Sequence, residues 1–174
     1  GRGYAALARC EKPVIAMIRG YCIGGGLVIA LAADLRFATQ DSRLGVPAAK
    51  LGLGYDYPGV AALARLVGPA RTADILYSAR QLTADEALQC GLVDFVVEDG
   101  VLEQRVRDYA AQITQNAPLT IRAMKASLKA YARYTQRTDV EPIEALIKQC
   151  FDSEDYREGR RAFMEKRRPQ FRGR

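Results

Sequence analysis

The chain has 174 residues, a length that suits one domain and is marginal for two. Hydrophobic residues make up 49% and charged residues 26%, which excludes disordered, collagen-like and low-complexity classes. Lys and Arg number 26 against 20 Asp and Glu, a net charge of +6, and the absence of His removes a His-based triad, a His general base and a His-ligated zinc.

The longest apolar stretch, residues 27–33, stops at Asp34 and falls far short of the roughly 20 residues of a membrane span. No signal-peptide pattern is visible near Gly1. Cys10, Cys22, Cys90 and Cys150 lie far apart with no CxxC pair, so reduced thiols in a cytoplasmic protein are expected. The chain does not begin with Met and its first residues resemble the middle of a helix. An N-terminal part is therefore expected to precede Gly1.

In chain order, residues 4–9 read as a helix end, and Pro13 forces an extended entry to the next element. Residues 14–18 form a short, β-branched apolar run that reads as a buried strand. Three glycines, Gly24, Gly25 and Gly26, lead into an apolar helix that stops near Asp34. Residues 35–39 and 43–46 read as strands, and residues 51–59 as a loop dense in Gly, Tyr and Pro. A helix over 60–67 ends at Gly68-Pro69, and a second covers 70–77. Thr83 and Glu86 make a capping box for a helix ending near Gly91. Residues 93–97 read as a strand. Four helices follow, over 102–115, 119–131, 140–150 and 153–166. Pro118 suits a first helical turn. The acidic start and basic end of the last helix match its dipole.

The glycine turn can serve chemistry or packing. Glycines let the backbone take positive φ and bring N–H groups close to a ligand. At a helix N-terminus those groups can hold a phosphate or a developing oxyanion. The segment is neither a P-loop, since no Lys-Ser/Thr follows, nor a G-x-G-x-x-G turn. Tight strand–helix packing is the plainer alternative.

The run Lys12-Pro13-Val14-Ile15-Ala16-Met17-Ile18-Arg19-Gly20-Tyr21-Cys22-Ile23-Gly24-Gly25-Gly26, closed by Asp34, resembles the signature of the crotonase superfamily, the enoyl-CoA hydratase/isomerase family. Leu51-Gly52, Arg65-Leu66-Val67-Gly68, Ala84-Asp85-Glu86-Ala87, Cys90-Gly91-Leu92-Val93 and Ala162-Phe163-Met164-Glu165-Lys166-Arg167 agree in order. The resemblance covers essentially the whole chain and corresponds to the C-terminal two-thirds of a family member. It implies an α/β fold, a crotonase-like (ClpP/crotonase) ββα superhelix core over 1–100. A helical trimerisation and coenzyme A-covering region over 101–174 would follow. It also implies acyl-CoA thioester substrates whose enolate is held by two backbone N–H groups. Gly25 would supply the second of these, and the first donor and most of the adenine pocket would precede Gly1.

The same resemblance marks two departures. The two hydratase glutamates would stand at Val28 and Ala48, where neither side chain can move a proton. The loop Leu51-Gly52-Leu53-Gly54-Tyr55-Asp56-Tyr57-Pro58-Gly59 instead resembles two other branches. In a methylmalonyl-CoA decarboxylase branch, a Tyr at the place of Tyr55 orients the carboxylate that leaves. That branch keeps a Glu where Val28 stands. In a 4-chlorobenzoyl-CoA dehalogenase branch, an Asp at the place of Asp56 is the nucleophile. Ring packing for Tyr55 and a turn role for Asp56 are the plain alternatives.

The final 24 residues carry eight Lys/Arg and five Asp/Glu, 8 − 5 = +3, which suits a cationic rim for a phosphate-bearing ligand. By resemblance, Phe163 and Lys166 contact coenzyme A; a solvated helix face is the alternative. The resemblance further implies a homotrimer or dimer of trimers. Coenzyme A enters as part of the substrate, and no metal or other cofactor is implied. The expected function is decarboxylase- or isomerase-like acyl-CoA chemistry rather than efficient hydration. A catalytically weak acyl-CoA-binding paralogue and an RNA-binding or scaffolding protein are the alternatives. No RNP or KH motif supports nucleic acid, and charge alone is weak support.

Overall fold

The structure, a computed structural model, describes residues 6, 7, 9–134, 148, 150–172 and 174. Most of the helix expected over 140–150, and part of that over 4–9, lies outside the described residues. The chain divides into two compact units. One is built from the described residues of Gly1–Leu44 and Leu82–Arg137, the other from those of Gly45–Gln81 and Thr138–Arg174. This grouping interleaves the chain rather than dividing it at residue 100.

In the first unit, β1 (Ile15–Ile18), β3 (Leu35–Thr39) and β6 (Phe95–Val97) form a parallel sheet in the order β1-β3-β6. A second three-stranded sheet orders β2 (Tyr21–Ile23), β4 (Arg43–Gly45) and β5 (Leu82–Thr83), with β4 and β5 antiparallel. Helix α1 (Gly25–Leu31) connects β2 to β3. Helix α3 (Ala84–Gln89) opens on the expected capping box: Thr83 Oγ1 accepts from Glu86 N at 3.2 Å, and Glu86 Oε2 accepts from Thr83 N at 2.8 Å.

Helices α4 (Leu102–Thr114) and α5 (Pro118–Tyr134) complete this unit. Pro118 is the first residue of its helix, where its missing N–H leaves no bond unmade. Phe37 of β3 stacks on Phe95 at 4.3 Å and meets Tyr109 edge-on at 5.5 Å, beside Leu102 and Val106. The Arg36 side chain is buried, yet its donors reach Leu92 O, Ala33 O and Asp94 Oδ2 at 2.9–3.0 Å. Paired in this way, the charge avoids the penalty of an unpartnered buried ion. Asp34 closes the turn after α1, its Oδ2 accepting from Val14 N at 2.6 Å and Lys125 Nζ at 2.7 Å.

The second unit contains a 3₁₀ turn (Ala48–Leu51), the long α2 (Tyr57–Ser78) and α6 (Glu154–Met164). Gly68 breaks the helical geometry of α2 with φ 76° and ψ 163°, just before Pro69. The two helices expected on either side of Gly68-Pro69 are thus the two arms of one kinked helix.

Three expectations need correction. The run at 14–18 is only half-buried: Ile18 is buried, but Met17 is 50% exposed. Side chains alternate across a strand, and among the described residues β1 lies at an edge of its sheet. The last strand starts at Phe95 and not at 93, because Leu92 N and Val93 N donate to Ala87 O at 2.8 and 3.2 Å instead of joining a ladder. Finally, Tyr57, Pro58 and Gly59 are not loop but the first turn of α2.

Candidate active site

The glycine turn lies in the first unit. Gly24 carries φ 55°, a conformation that disfavours any side chain, and its carbonyl accepts from Val28 N at 3.0 Å. Gly25 and Gly26 differ from it. Neither has a positive φ, and a Cβ built on either meets nothing within 4 Å among the described residues. Both are exposed. Among the described residues, then, no close packing contact calls for glycine at either position. Val28 follows half-buried on α1, while Ala48 opens the 3₁₀ turn and is buried.

The remaining candidates lie in the second unit. Tyr55 and Asp56 come together around Gly59. A Cβ on Gly59 would sit 2.6 Å from Asp56 Oδ1 and 2.9 Å from Tyr55 Cε1, so the tyrosine ring lies directly against the glycine backbone. The Tyr55 hydroxyl oxygen is buried. Asp56 is exposed and is the N-cap of α2, accepting from Gly59 N at 3.2 Å. The cap satisfies one orphan amide and adds a favourable charge at the helix start. The signal was present in the sequence: Asp, one residue, Pro and then an apolar run is a helix-start pattern.

The loop before Tyr55 is held by backbone contact with α6. Gly52 takes φ 64°, and a Cβ there would lie 2.8 Å from Asp155 O and 2.9 Å from Tyr156 Cα. A Cβ on Gly159 would overlap the carbonyl of Leu51. Leu53 N donates to Ala48 O at 3.0 Å. Sequence reasoning placed no role on Gly159.

Phe163 is 71% exposed near the end of α6, and Lys166 is exposed just beyond it. Lys166 adopts φ 52°. Its N–H donates to Phe163 O at 3.3 Å, and Arg167 N donates to Ala162 O at 3.0 Å, the two bonds of a Schellman turn. Glycine is the usual residue at such a position, since a side chain is strained there by about 1 kcal/mol. Lys166→Gly is therefore expected to raise stability by up to about 1 kcal/mol. If the ammonium contacts a phosphate-bearing ligand, the same change lowers affinity for coenzyme A by about 1–2 kcal/mol. Thermal denaturation and calorimetry read the two effects separately. Unchanged affinity at low salt would leave Lys166 with a backbone role only.

Part of the basic end neutralises its own acids. Glu158, with its side chain 12% exposed, accepts from Arg161 Nη2 at 2.5 Å, Arg167 Nη1 at 2.6 Å and Gln170 N at 3.1 Å. These donors hold its carboxyl well below the usual carboxylate range. Burial pushes the Cys22 thiol up to about 11, which makes it a poor nucleophile. Among the described residues, no group of three or more Cys, Asp or Glu is placed to hold a metal ion, and no helix is long and apolar enough to cross a membrane.

A family profile described as enoyl-CoA hydratase/isomerase matches residues 2–174. The chain is 34% identical over 165 residues to a short-chain-enoyl-CoA hydratase of Clostridium acetobutylicum, covering 95% of this chain and 63% of that protein. It is 38% identical over 165 residues to a crotonyl-CoA hydratase of Syntrophomonas wolfei, covering 92% and 62%. It thus spans less than two thirds of the length of either hydratase. Among solved structures, a methylmalonyl-CoA decarboxylase in complex with 2-nitronate-propionyl-CoA superposes with a TM-score of 0.93 at 31% identity, covering 99% of this chain and 67% of that one.

Proposed function

The chain belongs to the enoyl-CoA hydratase/isomerase family of the crotonase superfamily, and from that premise we propose that it processes acyl-CoA thioesters through an enolate held at the glycine turn. Decarboxylation or double-bond isomerisation is favoured over hydration. The observation that carries this reading is a glycine turn left open at Gly25, combined with apolar side chains at Val28 and Ala48. The likeness to a methylmalonyl-CoA decarboxylase supports the decarboxylase branch.

In this mechanism the Gly25 N–H meets the thioester oxygen as negative charge develops on it. Decarboxylation needs little base, because the departing CO2 leaves its electron pair in the enolate. It needs the breaking C–C bond turned to overlap the thioester π-system. The Tyr55 hydroxyl would hold the leaving carboxylate in that orientation. Isomerisation instead requires a base that removes a proton from carbon, and Asp56 is the candidate for that role. Coenzyme A would be part of the substrate, contacted by Phe163 and Lys166, with no metal or other cofactor engaged.

Tyr55→Phe and Asp56→Asn separate the two chemistries. Asparagine also caps helices well, so the second change removes the base while keeping the cap at Gly59. Tyr55→Phe is expected to lower CO2 release from a malonyl-type thioester far more than Asp56→Asn does. The opposite ranking, with loss of proton exchange at the α or γ carbon of an enoyl thioester in Asp56→Asn, would favour isomerisation. No effect from either change on any thioester would leave a weak acyl-CoA-binding paralogue.

A homotrimer or dimer of trimers is the proposed assembly. Met124, Leu128 and Tyr131 expose an apolar stripe on α5 that such an assembly would cover. Sedimentation at the mass of a monomer would remove this part of the proposal.

A further inference from the structure

We infer that Glu158 is a positioning residue, latching a C-terminal strap onto α6 and thereby holding the loop that carries Tyr55 and Asp56. Its catalytic consequence rests on the role proposed for that loop. All of the groups involved lie within the second compact unit.

The strap comprises residues 167–172 and Arg174. After the turn at Lys166 it runs back along α6 toward the start of the helix. Gln170 N donates to Glu158 Oε1 at 3.1 Å, and Arg172 N donates to Asp155 Oδ1 at 2.7 Å. The Arg174 carbonyl accepts from Glu154 N at 2.8 Å and Asp155 N at 3.2 Å. The strap thus satisfies two orphan amides of the helix start. Ser153 Oγ takes a third, from Tyr156 N at 3.0 Å.

Glu158 is more buried than the two glutamates that flank it near the strap. Its side chain is 12% exposed, against 52% for Glu165 and 62% for Glu154. Arg167 grips it with a two-pronged fork, Nη1 at 2.6 Å and Nη2 at 3.0 Å, one to each oxygen. Forked, charge-assisted pairs of this kind fix geometry as well as add energy. Exposed ion pairs elsewhere on the helix hold little.

The helix residues beside the latch and the cap are those on which the loop rests. Gly159 backs Leu51, while Asp155 and Tyr156 back Gly52. These contacts are backbone on backbone, with no flexible side chain between them to absorb a shift. A displaced α6 therefore displaces Leu51 and Gly52, and Tyr55 lies only three residues further along. The strap closes one side of the helix, and the loop lies on another.

The test uses the whole chain and amide-resolved hydrogen exchange, which needs no activity. Glu158→Gln keeps the shape and removes the charge. It is expected to raise exchange at Gln170 and Arg172 by about 10-fold or more. A parallel rise is expected at Leu53, in the loop, with the β3 amides unchanged. In turnover, kcat should fall about 10-fold while KM for the thioester stays within about twofold, the pattern of a misplaced catalytic group. Should Glu158→Gln not fold, Arg167→Gln removes the fork while leaving Arg161 on the carboxylate, and the same pattern is expected. A strap that opens while Leu53 stays protected overturns the positioning role, as does an unchanged kcat. A wild-type chain that turns over no thioester would sink the proposed function, while the exchange at Leu53 would still decide the latch.

Discussion

Crotonyl-CoA is expected to be hydrated at least about 100-fold more slowly than by a two-glutamate member of the family. Hydration adds a hydroxyl to one carbon and a proton to its neighbour, so it needs one group to activate water and another to manage the second proton. Each positioned acid or base contributes roughly 100- to 10,000-fold. By resemblance, those groups would sit at Val28 and Ala48. Val28 is half-buried on α1, and Ala48 is buried at the start of the 3₁₀ turn. No protonation state of either side chain can substitute. Steady-state kcat/KM on crotonyl-CoA, measured beside a two-glutamate relative, checks the expectation; equal values would refute it.

Gly25→Val is expected to raise the barrier for any accepted thioester by about 3 kcal/mol or more, a fall in turnover of roughly 100-fold. The structure makes this substitution informative. Gly25 has no positive φ, and an added Cβ meets nothing in the described chain. The first carbon of the valine side chain therefore clashes with none of the described residues, so a ligand approaching the turn is what the substitution is expected to obstruct. Gly24, with φ 55°, does not offer such a test, because any side chain there is strained whether or not a ligand comes. Thermal denaturation should show Gly25→Val folding with little change in stability, since valine is no worse a helix former than the glycine it replaces. A folded Gly25→Val protein with undiminished turnover would end the oxyanion role.

The sequence made local features legible where one short pattern decides them. Thr83 and Glu86 announced their capping box, and Gly68-Pro69 marked the kink in α2. Strand β3 is bounded as read, because its five residues, with Phe37 and Thr39 favouring strand, lie between Asp34 and a polar turn. The start of α2 was missed because Tyr57-Pro58-Gly59 has a loop's composition, although Asp56 and Pro58 together form a helix-start signal. Strand β2 has only three residues and was hidden between two glycine turns. Within the site, the resemblance supplied roles for Gly25 and Tyr55, but not the open space that a Cβ at Gly25 would meet among the described residues. The strap was not readable at all. Its bonds join Glu158 to Gln170 and Asp155 to Arg172, pairs too far apart for helical periodicity to link. The left-handed turn at Lys166 carries no glycine to announce it.

The most direct measurement of the central claim places both reactions in one preparation of the protein: release of CO2 from a malonyl-type thioester and hydration of crotonyl-CoA, each as kcat/KM. If Gly25 holds an oxyanion as proposed and no side chain replaces the hydratase glutamates, the protein is predicted to release CO2, or failing that to exchange protons on an enoyl thioester, at least about 100-fold more efficiently than it hydrates. Hydration that outpaces both reactions would contradict the account.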